Sequence, residues 1–312
     1  MKTENFSVRR RMMKRQNNIY QDIPYEKQTE CAGRLLKEAK TVLIGAGAGV
    51  SAAAGLTYSG KRFTENFSEF IDKYGKMNMP DMYTAGFYPF PSQEAKWGYW
   101  SKHSMMNRFL PPALPLYRRL YDLVKEKDYF VLTTNVDHQF FKAGFAAERI
   151  FATQGDYGMI QCEKGCHQKI YDAEELFRRM DEVRKDCLIP ASMVPKCPVC
   201  GGNMAMHLRA DQYFVEDENW HAAAERYSDF LAEAMTESIV LLELGVGFNT
   251  PGIIKYPFWQ MTAENPKAVY VCINNGEAGC PEKISGQAVC IDGDIGEILF
   301  QLMEESPCAK GR

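Results

Sequence analysis

The segment Cys31–Leu56, CAGRLLKEAKTVLIGAGAGVSAAAGL, decides the fold. Its first part reads as the end of a helix. TVLIG (41–45) is an apolar run too short for a helix and suited to a buried strand. Gly45, Gly47 and Gly49 then form a glycine turn, and VSAAAGL (50–56) opens a helix of small residues. Backbone N–H groups at such a helix start suit a diphosphate. The pattern recurs down the chain. DYFVLTTNVD (128–137), SIVLLELGVGFNTP (238–251), KAVYVCINNG (267–276) and QAVCIDGD (287–294) are each a short apolar strand stopped by a polar or glycine turn. Helices between such strands make a doubly wound α/β sheet with a parallel core. Its ligands belong beyond the carboxyl ends of the strands, here GAGAG, TTNVD, GVGFN and INN.

A nicotinamide dehydrogenase of the ordinary kind is disfavoured. The loop can be forced to GxGxxA from Gly47 to Ala52, but the acidic residue that should end a second strand about 20 residues later is missing. That region, RFTENFSEFIDKYG (62–75), predicts helix.

Two stretches interrupt the alternation. Residues 61–125, with MPDMYTAGFYPFPSQ and FLPPALP, are rich in Phe, Tyr, Trp and Met and too long for a plain connection. They predict a helical insertion over the sheet edge, packed internally, with some aromatics free to cover a ligand. Residues 160–207 form a second insertion with two close cysteine pairs. Three residues separate Cys162 from Cys166, and two separate Cys197 from Cys200. Thiolates at these spacings suit tetrahedral Zn²⁺, and a closed four-cysteine site is structural. His167, beside Cys166, is expected near the metal or on the surface, with ligation as the alternative.

Bulk composition sets limits. The 312 residues are 46% hydrophobic and 25% charged, ordinary for a globular protein. A formal net charge of −3 gives no general attraction to nucleic acid or to a membrane surface. No apolar run reaches the ~18–20 residues of a membrane span. The N-terminal MKTENFSVRRRMMKRQNN is basic and lacks the apolar stretch of a secretory signal. A reducing, cytoplasmic setting is therefore expected, with Cys31, Cys187, Cys272, Cys280, Cys290 and Cys308 as free thiols.

FATQGDYG (151–158) carries the chemistry. Its centre, Gln154-Gly155, is polar and tight. An amide there can hold a ligand but cannot accept a proton at neutral pH.

The set now resembles a known family. GAGVSAAAGL (47–56), TTNVD (133–137), QG (154–155), two cysteine pairs, GVGF (245–248), IN (273–274) and DGD (292–294) occur in the order found in sirtuins, and the likeness runs over roughly residues 25–305. It implies a Rossmann-like NAD domain in three pieces (25–60, 126–159 and 208–312), with the helical insertion and a zinc module at 160–207; the basic arm at 1–24, read from its charge, lies before it. NAD is the implied substrate and zinc a structural ion. By motif position Ala48, Gly49 and Ser51 line the phosphate loop, Asn135 and Asp137 meet the nicotinamide and its ribose, and Gly245, Asn249 and Asn274 hold the adenosine half. Gly47, Gly55, Thr134, Gln154, Gly247 and Asp292 complete the implied NAD set; Asn135, Asp137 and Gln154 are the implied catalytic residues.

Departures from the deacylases redirect the expected activity. Their Pro-Asp-Phe-Arg run is replaced by Thr57, Tyr58, Ser59 and Gly60, and their catalytic histidine by Gln154. Near the substrate strand, ADQYFVE places Asp211 and Gln212, with Val215 where glycine is expected. Losing a general base typically costs about 10²–10⁴-fold, whereas direct transfer of ADP-ribose to an ionised carboxylate needs none. His103, His138, His167, His207 and His221 offer no substitute in that motif, although His138 adjoins Asp137. These features resemble the class M, macrodomain-linked sirtuins. That resemblance implies a protein mono-ADP-ribosyltransferase, with a lipoyl-carrier protein akin to the glycine-cleavage H protein as acceptor and a macrodomain hydrolase acting in the opposite direction. A weak deacylase and a non-catalytic NAD-binding regulator are the alternatives.

Overall fold

The computed structural model describes residues 24–304. The basic arm expected over 1–24 lies outside the described residues except at its last position, as does Cys308. Six strands form one parallel sheet: β1 (Thr41–Ala46), β2 (Asp128–Thr133), β3 (Ile150–Ala152), β7 (Val240–Leu244), β8 (Val269–Asn274) and β9 (Ala288–Asp292). Their order is β3-β2-β1-β7-β8-β9. The chain runs outward from β1 in one direction, returns, and runs outward in the other. The reversal falls between β1 and β7, and ligand crevices open at such switch points.

Alternation along each strand serves both faces. Val42, Ile44, Val131, Leu242, Val271 and Val289 enter one core, with Leu36, Tyr117 and Leu120 from the covering helices. Leu43, Phe130, Leu132, Leu241 and Tyr270 enter the other, under Phe230 and Phe258. Burial on both faces explains why these strands read as continuous apolar runs. The helix Pro115–Val124, placed with the insertion on sequence grounds, contributes Leu116, Tyr117, Leu120 and Val124 to the sheet core. An ion pair is buried within the apolar layers. Glu243 and Lys255 are fully buried and paired, and the Tyr270 hydroxyl donates to Glu243 Oε2 at 2.8 Å. Removing either partner strands a buried charge, at a cost of about 3–5 kcal/mol.

The two insertions form one body. A three-stranded antiparallel sheet, β5-β4-β6, is built from β4 (Gly155–Cys162), β5 (Ile170–Asp172) and β6 (Met204–Leu208). Phe63, Phe67, Phe70, Trp97 and Tyr99 from 61–125 share a single core with Ile160, Phe177, Met180, Cys197 and Met206 from beyond residue 159. Lys96 Nζ meets Glu163 Oε1 at 3.1 Å across the seam. The aromatic richness of 61–125 thus mainly serves this joint core.

Candidate functional site

A cleft of about 460 Å³ opens between the parallel sheet and the smaller body. Ala48, Ser51, Thr134, Asn135, Asp137, Gln154 and Asn249 line it, so seven residues singled out by sequence meet there. Each sits where a strand ends. Ala48 and Ser51 follow β1, Thr134 to Asp137 follow β2, Gln154 lies between β3 and β4, and Asn249 follows β7.

Hydrogen bonds fix the polar centre. Ser51 Oγ donates to Asp137 Oδ2 and lies 2.9 Å from the Tyr117 hydroxyl. Asn135 Nδ2 donates to the Gly47 carbonyl at 2.9 Å and to the Tyr117 hydroxyl at 3.3 Å. The other Asp137 oxygen accepts the Gln139 N–H at 3.0 Å. Burial raises the Asp137 pKa, although the Ser51 and Gln139 hydrogen bonds oppose it. Gln154 is looser. Its Nε2 donates to Thr153 Oγ1 at 3.3 Å, while its backbone carbonyl accepts the Arg209 N–H at 3.1 Å.

The glycine turns lock to each other. Gly47 N donates to the Leu244 carbonyl and Gly49 N to the Gly245 carbonyl, each at 3.0 Å. A Cβ on Gly49 would stand 2.6 Å from Gly245 Cα, and Gly245 itself has φ +60°. Gly47 and Gly49 therefore serve close backbone approach at the switch point, and their N–H groups are already engaged. Gly55, Gly245, Gly247, Asn274 and Asp292 likewise lie off the cleft wall. Asn274 Nδ2 donates to the Val246 carbonyl at 3.0 Å, and Asp292 Oδ1 accepts the Gly276 N–H at 2.5 Å. Both tie down loops at the carboxyl edge. Gly155 has φ +100°, and a Cβ there would meet the His207 carbonyl at 1.9 Å, so the residue after Gln154 must be glycine.

The cleft contains residues that sequence reading missed. Tyr83, Phe87, Trp100 and Tyr157 form an aromatic wall, and Tyr58 joins it with its hydroxyl 2.9 Å from that of Tyr157. The crowding of aromatics in 61–125 was the signal available for the first three. Arg209 also lines the cleft. Its Nη2 donates to Glu216 Oε1 at 2.6 Å, and its guanidinium stands 4.1 Å from the Phe214 ring centre. Nothing in the local sequence marked it. The substrate-strand region differs from expectation as well. β6 stops at Leu208, and Asp211 and Gln212 are exposed in a turn where Asp211 Oδ1 accepts the Tyr213 N–H at 2.8 Å.

None of the five histidines lines this cleft. His138 Nδ1 is 2.6 Å from Asp156 Oδ2 instead. His207 Nε2 is 2.9 Å from the Val215 carbonyl. His103 is fully buried among aromatic rings, and burial, reinforced by the Arg62 charge, holds its pKa down to about 3. His167 Nδ1 is 3.1 Å from Cys166 Sγ, and His221 is exposed on the helix Glu218–Ala234.

The four cysteines converge away from the cleft. Cys162 and Cys200 sulfurs are 3.8 Å apart, Cys166 and Cys197 sulfurs 3.6 Å, and all four lie within 4.8 Å of one another. Metal–sulfur bonds of ~2.3 Å in a tetrahedron give sulfur–sulfur edges of ~3.8 Å, so the cluster fits zinc. Cys162 and Cys197 are buried, whereas Cys166 and Cys200 are exposed. Among the described residues no helix is long and apolar enough to cross a membrane.

Comparison with known proteins gives the following. No protein-family model matches the chain. A protein ADP-ribosyltransferase of Staphylococcus aureus strain Mu50 is 36% identical over 274 residues, covering 88% of this chain and 86% of that protein. A probable bifunctional ADP-ribose hydrolase/ADP-ribosyltransferase of Fusarium oxysporum f. sp. cubense is 31% identical over 282 residues. The match covers 86% of this chain but only 46% of that longer protein. Among solved structures, Sir2Tm bound to a propionylated peptide shares the fold, with a TM-score of 0.57 at 17% identity, over 89% of this chain and 98% of that one.

Proposed function

The chain belongs to the sirtuin-type protein ADP-ribosyltransferases, which are NAD-dependent enzymes, and from that premise we propose how its cleft performs the transfer and what receives the ADP-ribose. The diphosphate lies along Ala48–Ser51, and the adenosine half lies toward Gly245, Asn249 and Asn274. Asn135 and Asp137 orient the nicotinamide ribose. Thr134 adds to the wall beside them, and Gly47, Gly55, Gly247 and Asp292 shape the loops. As the glycosidic bond breaks, nicotinamide leaves with the bonding pair and the anomeric carbon takes on oxocarbenium character. An acceptor side chain attacks that carbon. Gln154 clamps the ribose by hydrogen bonds without titrating.

The observation that carries this reading is the make-up of the cleft: Asn135, Asp137 and Gln154 share it, and no histidine does. A deacylase needs a base to activate a ribose hydroxyl. A carboxylate acceptor, with an unperturbed pKa of about 4, arrives ionised. We take the acceptor to be a carboxylate on a partner protein. By the class M resemblance, a lipoyl-carrier protein of the glycine-cleavage H type is the first candidate. The double name of the Fusarium relative supports an opposing ADP-ribose hydrolase as a functional partner. Zinc on Cys162, Cys166, Cys197 and Cys200 would hold the smaller body together and take no part in the reaction. A reducing setting such as the cytoplasm fits the five described cysteines outside the cluster, Cys31, Cys187, Cys272, Cys280 and Cys290, none of which is in a disulfide.

The test is incubation with NAD labelled in its adenylate phosphate and a lipoyl-carrier protein, with and without its lipoyl group. Label on the carrier, lost after hydroxylamine treatment of the ester, is expected. Appearance of O-acyl-ADP-ribose with an acylated peptide, and no labelled protein, would defeat the proposal. Gln154→Ala is expected to weaken transfer by about 1–3 kcal/mol in kcat/KM, the worth of hydrogen bonds to a buried partner. Gln154→His should not create an efficient deacylase, because Tyr58 and Gly60 still stand in the loop and Asp211, Gln212 and Val215 beyond β6. The pH profile should be flat from about pH 6 to 8. Its acid limb should lie above the usual aspartate range, because the raised Asp137 pKa means that the ionised form is lost as pH falls through that higher value.

A further inference from the structure

Asn135 and Asp137 stand on the loop after β2, while Gln154 precedes β4. The two arms leave neighbouring strands, β2 and β3, which are paired up to Thr133 and Ala152 and tied by the Thr153 N–H donating to the Thr133 carbonyl at 3.0 Å; two links hold the arms farther out, where no strand pairing does. One link is backbone: Tyr157 N donates to the Val136 carbonyl at 2.9 Å. The other is made by side chains. His138 Nδ1 is 2.6 Å from Asp156 Oδ2, and Arg108 Nε donates to Asp156 Oδ1 at 2.8 Å. The same Oδ1 accepts the Gly158 N–H at 2.7 Å, which holds the carboxylate against its own strand. Arg108 lies in the π-helical turn Met105–Phe109 of the helical insertion, so three segments meet at one carboxylate.

His138 is built at some cost. Its φ is +65°, in the left-handed region where residues other than glycine are uncommon. Its ring stacks on Phe141 with centroids 4.2 Å apart, which aims Nδ1 at Asp156. Burial alone would raise the Asp156 pKa; the hydrogen bond with His138 and the Arg108 charge outweigh it and hold the group below the ordinary range. None of the three side chains lines the main cleft; His138 and Asp156 line a smaller cavity that shares Asn135 and Asp137 with it.

We propose that His138, Asp156 and Arg108 form a positioning clamp that sets the separation of Asn135 and Asp137 from Gln154 across the reacting ribose. The inference rests on the assignment of those three residues to the ribose. Misplacement by a fraction of an ångström acts on the transition state more than on ground-state binding, so the clamp should be visible in kcat. A contact that only supports folding would lower stability instead, and a contact with NAD would raise KM.

The full chain is assayed for nicotinamide release from NAD, with His138→Ala, His138→Gly, His138→Asn, Asp156→Ala and, as a control on the site, Asn135→Ala. His138→Ala, His138→Gly and Asp156→Ala are expected to lose about tenfold or more in kcat with KM for NAD within about twofold of wild type. His138→Asn is expected to recover most of that loss, because asparagine tolerates left-handed backbone and its Nδ2 can donate to Asp156. Wild-type kcat in His138→Gly would show that only the backbone conformation matters and would overturn the clamp. So would a loss confined to KM, or wild-type kcat in Asp156→Ala, which also serves should the His138 variants fail to fold. If Asn135→Ala itself releases nicotinamide at the wild-type rate, the assignment of the ribose site fails and the clamp falls with it. If Asn135→Ala is inactive and the clamp variants are normal, the clamp alone fails.

Discussion

Replacing Asn135 by alanine is expected to reduce ADP-ribosyl transfer by at least about 10²-fold, the loss typical of one preorganised donor in a closed site. NAD affinity should change far less. The adenosine and diphosphate contacts proposed above lie on other loops, and binding energy from the unreacting part of a substrate survives the loss of an orienting group. The geometry adds a second reason for a large effect. The Asn135 amide donates to the Gly47 carbonyl and to the Tyr117 hydroxyl, and it joins the loop after β2 to the loop after β1. Alanine leaves the Gly47 carbonyl and the Tyr117 oxygen without this donor. Single-turnover transfer with saturating NAD, beside calorimetric NAD binding, checks both parts. Turnover within about threefold of wild type would remove Asn135 from the reacting centre. A parallel collapse of NAD affinity would recast it as a structural brace.

The second large effect belongs to the cysteine cluster. Cys197→Ser should abolish stoichiometric zinc binding and lower thermal stability steeply. Structural zinc binds such sites with about 10–16 kcal/mol at neutral pH, and that binding energy is folding energy. At about 2–4 °C per kcal/mol for a large domain, even a third of it moves the midpoint by more than ~6 °C. Cys197 is chosen because it is buried in the joint core as well as in the cluster. Metal analysis of the purified protein and a thermal melt of the variant settle the matter. A zinc-free variant with wild-type melting and full transfer would dismiss the structural role. Chelation of the wild-type protein should reproduce the variant, with slow loss of activity following unfolding and no immediate inhibition, since the cluster lies outside the cleft.

What the residues revealed in advance, and what they hid, follows from range. β1, β2, β7, β8 and β9 were legible because each is buried on both faces and ends in a glycine or asparagine turn, a local signal. The meeting of Ser51, Asn135, Asp137 and Gln154 was legible through the order of short motifs, each confined to a few residues. β4 was not, because GDYGMIQC has two glycines and no clean apolar–polar alternation, and it owes its strand to antiparallel pairing with β5 and with β6, the latter about 45 residues on. Arg209 stayed hidden for the same reason. Its position follows from that pairing and from the aromatic rings of Phe214 and Trp220 beneath it. The engagement of the Gly47 and Gly49 N–H groups could not be foreseen from a glycine pattern, since the partner turn begins at Gly245, nearly 200 residues away.

The joint core has an implication for how such a chain can change over time. Segments on either side of β2 and β3 each supply half of one hydrophobic interior, and the rear of the cleft wall, Trp100 and Tyr157, is rooted in it. Deleting the helical segment would bare Phe177, Met180 and Ile160; deleting the cysteine segment would bare Phe63, Trp97 and Tyr99. Neither can be shed alone as a detachable module. Each insertion is therefore committed to the other's survival, and drift in one must be answered by compensating drift in the other, while the exposed turn at Asp211–Tyr213 and the outer aromatics Tyr83 and Phe87 carry no part of that core.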